Sequence, residues 1–174
     1  MAVTGQSGGE EKAREWRWEV DFDAAFLRLS EPVDMLVGVL VALPGLESHR
    51  ERIYVIVAEL FNNALDHGLL ALDSGLKASP EGFDDYYRAR SDALAGLESG
   101  SIGFRFVYRS LDAGGSLWLE VADSGGGFVH DEAGKPLARS SGDYAGMGLN
   151  MVRSLCSELR FSAQGNRVEA VYEW

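Results

Sequence analysis

The run Ala58-Glu59-Leu60-Phe61-Asn62-Asn63-Ala64-Leu65-Asp66-His67-Gly68 sets acids, amides and an imidazole about one helical turn apart within an otherwise apolar stretch. At about 100° per residue, Glu59, Asn62, Asn63 and Asp66 share one narrow arc of a helix, while Ile53, Val57, Leu60, Ala64 and Gly68 share another. One arc packs; the other is free for chemistry. A carboxylate at Glu59, one turn ahead of Asn63, could accept a proton from an attacking hydroxyl. An amide oxygen at Asn63 suits a hard cation such as Mg²⁺, which keeps several waters and draws its remaining ligands from phosphates.

Two glycine-rich stretches follow, Asp123-Ser124-Gly125-Gly126-Gly127-Phe128 and Gly142-Asp143-Tyr144-Ala145-Gly146-Met147-Gly148-Leu149-Asn150. Asp123 ends a strand-like run just before three glycines, so its carboxylate is fixed while the backbone beyond it can approach a flat ring. Gly146 and Gly148 precede an expected helix beginning near Leu149, and such a helix start offers free amides and a positive dipole end to phosphate. Between them, residues 128–145 are polar and aperiodic and read as a lid able to close over a ligand, with Lys135 or Arg139 in reach of a terminal phosphate. Taken singly, these stretches also fit a tight turn and a plain loop-to-helix junction. Their order behind the polar helix makes them a set.

The trio resembles the N, G1 and G2 boxes of the GHKL ATP-binding superfamily, in particular the bacterial anti-sigma factor serine kinases. Glu59, Asn63-Ala64 and His67-Gly68 match the N box, Asp123, Gly125 and Gly127 the G1 box, and Gly146-Met147-Gly148 the G2 box. The resemblance covers roughly Ser30 to Trp174. It implies a histidine kinase-like ATPase (Bergerat) fold that binds ATP and Mg²⁺. Glu59 would be the catalytic base, Asn63 the magnesium ligand, and Asp123 the acceptor for the adenine amino group. Gly125, Gly127, Gly146, Met147, Gly148 and Leu149 would border the nucleotide, and Arg139 matches the lid arginine of some members. His67 would touch the phosphates or merely border the pocket. Neither it nor His49 or His130 has the separate dimerisation helix of a phosphoacceptor, so histidine autophosphorylation is not expected.

The activity so implied is phosphorylation of a serine on a STAS-type anti-sigma-factor antagonist, within partner switching that also engages a sigma or anti-sigma factor. A homodimer is a further expectation, since related kinases often pair. The alternatives are a nucleotide-binding module that sequesters a partner without catalysis, or the catalytic ATPase domain of a histidine kinase. The segment Ala71 to Gly100 resembles an insertion found in kinases fused behind a receiver and a serine phosphatase, so the chain is read as the kinase part of such a fusion.

Composition bounds these readings. A chain of 174 residues that is 46% hydrophobic can build one sizeable core. Its net charge of −11 would repel a nucleic-acid backbone, so direct DNA or RNA binding is not expected, while one triphosphate can still be held by local amides and a cation. Cys156 is the only cysteine, which excludes an internal disulfide and fits a reducing cytoplasm. The longest apolar run, Met35 to Leu43, is too short to span a bilayer, so no membrane association is expected.

The elements that must position these residues follow from periodicity. Residues 1–15 read as a flexible lead-in and 16–174 as one kinase domain. Trp16 to Phe22 alternates as a strand; Ser30-Glu31-Pro32 opens a helix that Pro44-Gly45 closes; Ser48 and Glu51 form a capping box for the N-box helix. Within the 71–100 insertion, Ser79-Pro80 starts a helix with Phe83, Tyr87, Arg90, Leu94 and Leu97 as its stripe, turned to the domain or to a partner. Ile102 to Arg109 and Leu117 to Ala122 form one hairpin, and Leu159 to Ala163 with Val168 to Trp174 another. The expected class is α+β, a two-layer α/β sandwich with a mixed, mostly antiparallel sheet and helices on one face.

Overall fold

Alternating large apolar and polar residues make the sheet one-sided. In the computed structural model, which describes residues 14–72, 80–111, 113–126 and 147–174, the strands are β1 (Arg14–Asp23), β2 (Ser101–Ser110), β3 (Gly115–Asp123), β4 (Glu158–Phe161) and β5 (Arg167–Glu173). They form a five-stranded sheet in the order β1-β2-β3-β5-β4, and every pairing is antiparallel. Ile102, Phe104, Phe106 and Tyr108 are all buried on the helix-covered face. Trp18, opposite Phe106 in register, stacks on it with ring centroids 5.1 Å apart. The other face is charged. Glu19, Arg105 and Glu120 lie side by side across β1, β2 and β3, and buried Glu120 is held by Arg105 at 2.7 Å and Arg167 at 3.3 Å.

Among the described residues five α-helices cover the apolar face: α1 (Ala24–Leu29), α2 (Val33–Leu40), α3 (Arg50–Asn62), α4 (Pro80–Ala95) and α5 (Met147–Leu155). Helix α1 lies where no helix was expected; six residues are too few to show a repeat, and Asp23 starts it by accepting from the Phe26 N–H at 2.8 Å. Helix α2 stops at Leu40, short of Pro44, and hands over to tight turns that reach Gly45 at φ 83°. The expected capping box does not form. Glu47–His49 is a 3-10 turn, so Ser48 lacks the extended backbone of a capping residue and α3 starts behind His49 without a side-chain cap. His49 meets the Tyr172 hydroxyl at 2.5 Å instead.

Helix α3 is the centre of the core, with Ile53, Ile56, Val57, Leu60 and Phe61 all buried. Phe61→Ala should cost about 3–5 kcal/mol through lost burial and the cavity left behind, which urea denaturation would show as a lowered midpoint. Behind α3 the backbone changes register. Residues Asn63–Leu69 form a π-helical segment, closed by the Leu70 N–H on the Leu65 carbonyl at 2.9 Å. Ala64 and Gly68 are buried as the apolar arc requires, but Asp66, expected on the polar arc with Glu59, is also buried at 4% exposure. The wider turn rotates it away from that arc.

The stripe on α4 is shifted as well. Tyr86 is buried, whereas Phe83 and Tyr87 are 38% and 61% exposed. The helix packs on the domain through Tyr86, Arg90 and Leu94, with Leu97 just beyond its end. Among the described residues no helix is long and apolar enough to cross a membrane.

Candidate functional site

Three segments distant in sequence meet at one end of the sheet. The π-helical segment brings Gly68 against the end of β3 so closely that a Cβ on Gly68 would stand 2.6 Å from both carboxylate oxygens of Asp123. A Cβ on Gly125 would in turn collide with the Gly68 carbonyl. Glycine at both positions lets the helix end and the strand end interlock. Gly68→Ala should therefore push Asp123 out of place, with about 1–3 kcal/mol of overpacking, read as a lower melting temperature together with altered ligand binding.

The third segment arrives with α5. Gly148 lies in its first turn, and the Glu59 carboxylate occupies the space where a Cβ on Gly148 would point. A carboxylate there is favoured by the helix dipole. Leu149, the next residue, is buried and shares a cleft with Asn63 and Asp123. That cleft is open to solvent. Leu60, Ala64, Val121 and Val168 give it apolar walls suited to a flat ring.

Its polar groups are few and poised. Asp123 is 8% exposed; burial raises its carboxyl above the ordinary value near 3.8, partly offset by the Gly125 N–H donated to it at 2.9 Å. Asn63 carries a buried amide nitrogen without a hydrogen-bond partner. Leaving such a donor unpaired costs about 1–3 kcal/mol, which a ligand oxygen would recover. A flip of the amide presents its carbonyl oxygen instead, so the same side chain can face a phosphate or a cation. An orphaned amide, a buried acceptor and apolar walls fit an adenine nucleotide and its cation.

The other expected site residues divide. Met147 opens α5 and is 50% exposed. His67 is half-buried, and its Nδ1 donates to the Leu72 carbonyl at 3.0 Å; it does not line the cleft. Gly127, Lys135, Arg139, Gly146 and the lid at 128–145 lie outside the described residues.

The last hairpin adds residues that sequence reading missed. Phe161, Asn166 and Arg167 line the cleft. Asn166 brackets Asp123, its carbonyl accepting the Asp123 N–H at 2.9 Å and its Nδ2 donating to the Asp123 carbonyl at 3.3 Å. The only sequence signal was the Gln164-Gly165-Asn166 turn, in which Gly165 has φ 71°.

Fold and cleft together define an α/β sandwich with a cleft between its helices and one end of its sheet. The family model of the histidine kinase-like ATPase domain matches residues 33–172, and the chain belongs to that family. With membership comes the binding of ATP and a place among kinase-type ATPase domains. Comparison with curated proteins gives no match.

Proposed function

We propose that the domain is an ATP-dependent protein serine/threonine kinase whose substrate is a serine on a STAS-type anti-sigma-factor antagonist, and that it acts in the cytoplasm in partner switching with a sigma or anti-sigma factor, with a homodimer as its working form. The observation that carries this reading is the Glu59 carboxylate, set against the first turn of α5 and one helical turn from Asn63. The dipole of α5 alone would tolerate a carboxylate there, but it does not require one a turn from Asn63, which favours a kinase over a pure nucleotide-binding module. A kinase needs one to take the proton of the incoming hydroxyl.

On this reading the serine oxygen bonds to the γ-phosphorus as its proton passes to Glu59, and the bond from that phosphorus to the β-phosphate oxygen breaks, releasing ADP. Asn63 would hold Mg²⁺, which when bound neutralises charge on the phosphates. Among the described residues no group of three or more His, Cys, Asp or Glu could hold a metal, so that cation would depend on phosphate oxygens for much of its shell. Asp123 would accept from the adenine amino group, and Leu149 with Val168 would exclude water from the ring.

The test is transfer of labelled γ-phosphate from ATP to a panel of STAS-domain proteins. The expected product is a single phosphoserine on one of them. Nucleotide binding with no transfer to any would favour the sequestering module, and label on a histidine would favour the histidine kinase reading.

A further inference from the structure

We infer that Asp66, gripped by Tyr86 and Arg90, is a positioning residue through which α4 fixes the π-helical segment and with it Gly68 and the surroundings of Asn63, a role that rests on reading the cleft as a nucleotide site. Asp66 follows Asn63 by three positions and precedes Gly68 by two. Its carboxylate is buried, and each oxygen is taken by a different residue of α4. The Tyr86 hydroxyl donates to Oδ2 at 2.6 Å, and Arg90 Nε donates to Oδ1 at 2.7 Å. Tyr86 is itself 1% exposed. Arg90 also reaches Glu31, just ahead of α2, at 3.6 Å, so one guanidinium ties α4 to two other parts of the domain.

A buried carboxylate is tolerated only while it is paired, so this grip selects one placement of Asp66. Burial and the Asp66 hydrogen bond hold the Tyr86 hydroxyl far above its ordinary range. Burial pulls the Arg90 guanidinium down, but the bond and charge of Asp66 outweigh it and raise it overall. Both groups therefore stay donors across the physiological range.

The π-helical register is the feature that needs holding. Such segments are rare and give up regular α-helical bonding, so one persists only where contacts outside it favour it. Here it is held at two points, Asp66 on α4 and Gly68 on Asp123. Return to α-helical bonding would carry Asp66 off Tyr86 and Arg90 and withdraw Gly68 from Asp123. Asn63, whose N–H stays bonded to the Glu59 and Leu60 carbonyls of α3, would keep its backbone place while its own carbonyl changed partner and the cleft wall beside it moved. Helix α4 thus acts as a handle on the nucleotide site, from a part of the chain that does not line the cleft.

Tyr86→Phe tests this, because it keeps the ring in its buried seat and removes one donor; Arg90→Lys, which keeps a charge, is the milder companion. The readouts are the Asn63 side-chain amide resonances, backbone hydrogen exchange over residues 63–70, and the dissociation constant of Mg²⁺ with a non-hydrolysable ATP analogue. In Tyr86→Phe the Asn63 resonances should shift, exchange over the segment should accelerate relative to β2 and β3, and the dissociation constant should rise about tenfold, with Arg90→Lys between it and the parent. A role in stability alone would lower the melting temperature and leave the dissociation constant of the folded protein unchanged, which overturns the inference. Unshifted resonances with unchanged exchange overturn it too. Should the parent protein bind no nucleotide, the proposed function fails, and the Asn63 resonances with the exchange pattern decide alone: movement upholds the grip, and its absence refutes it.

Discussion

Glu59→Gln should leave nucleotide affinity close to that of the parent and lower phosphoryl transfer by roughly 10²–10⁴-fold, the usual contribution of a general base. Glutamine has the same size, so the contact with the first turn of α5, possible only because Gly148 lacks a Cβ, survives the change. What disappears is the capacity to accept a proton. A single-turnover transfer rate measured beside an equilibrium titration separates the two effects. Transfer at the parent rate would remove Glu59 as the base, and loss of binding together with transfer would make it a holder of the nucleotide instead.

Asp123→Asn should weaken ATP binding by about a hundredfold or more, because a charge-assisted acceptor is replaced by an amide whose N–H₂ faces the adenine amino group, donor against donor. The free protein should be as stable as the parent or slightly more so. The sign follows from linkage: burial raises the Asp123 carboxyl above its unfolded value near 3.8, so the folded state binds that proton more tightly. The ionised group therefore costs stability above its raised value, a cost relieved as pH falls through the window down to the unfolded one. Asparagine removes that cost, and its side-chain oxygen can still accept from the Gly125 N–H. Affinity in the parent should hold at neutral pH and decline as pH drops through the raised value. Melting curves with and without Mg-ATP, taken on both proteins at neutral and mildly acidic pH, check all three expectations. A variant that is both less stable and still bound by ATP would contradict them.

The sheet and its hairpins were legible because strand alternation is a local signal: Ile102, Phe104, Phe106 and Tyr108 announce their buried face without reference to anything distant. The apolar arc of α3 was legible for the same reason, since Ile53, Val57 and Leu60 recur at helical spacing and are all buried. The π-helical register was not, because over seven residues an α and a π helix present nearly the same pattern and differ by which carbonyl each N–H chooses. Tyr86 was passed over in favour of Phe83 and Tyr87, which fit an apolar stripe equally well. The deciding factor is Asp66, twenty residues away, whose buried carboxylate requires a donor at that position. The glycine boxes marked where the backbone comes close but not what it meets, and the match of Gly68 to Asp123 and of Gly148 to Glu59 needed coordinates. Asn166, bonded to the backbone of Asp123 on both sides, sits in a turn that reads like any other.

A titration of the ¹⁵N-labelled domain with Mg²⁺ and a non-hydrolysable ATP analogue, followed by amide NMR, tests most directly whether these separated segments form one adenine-nucleotide cleft. The largest saturable shifts should fall on Asn63, Asp123, Gly125, Leu149 and Asn166 together. Shifts confined to the charged face around Arg105 and Glu120, or a spectrum unchanged at saturating nucleotide, would contradict the assignment of the site.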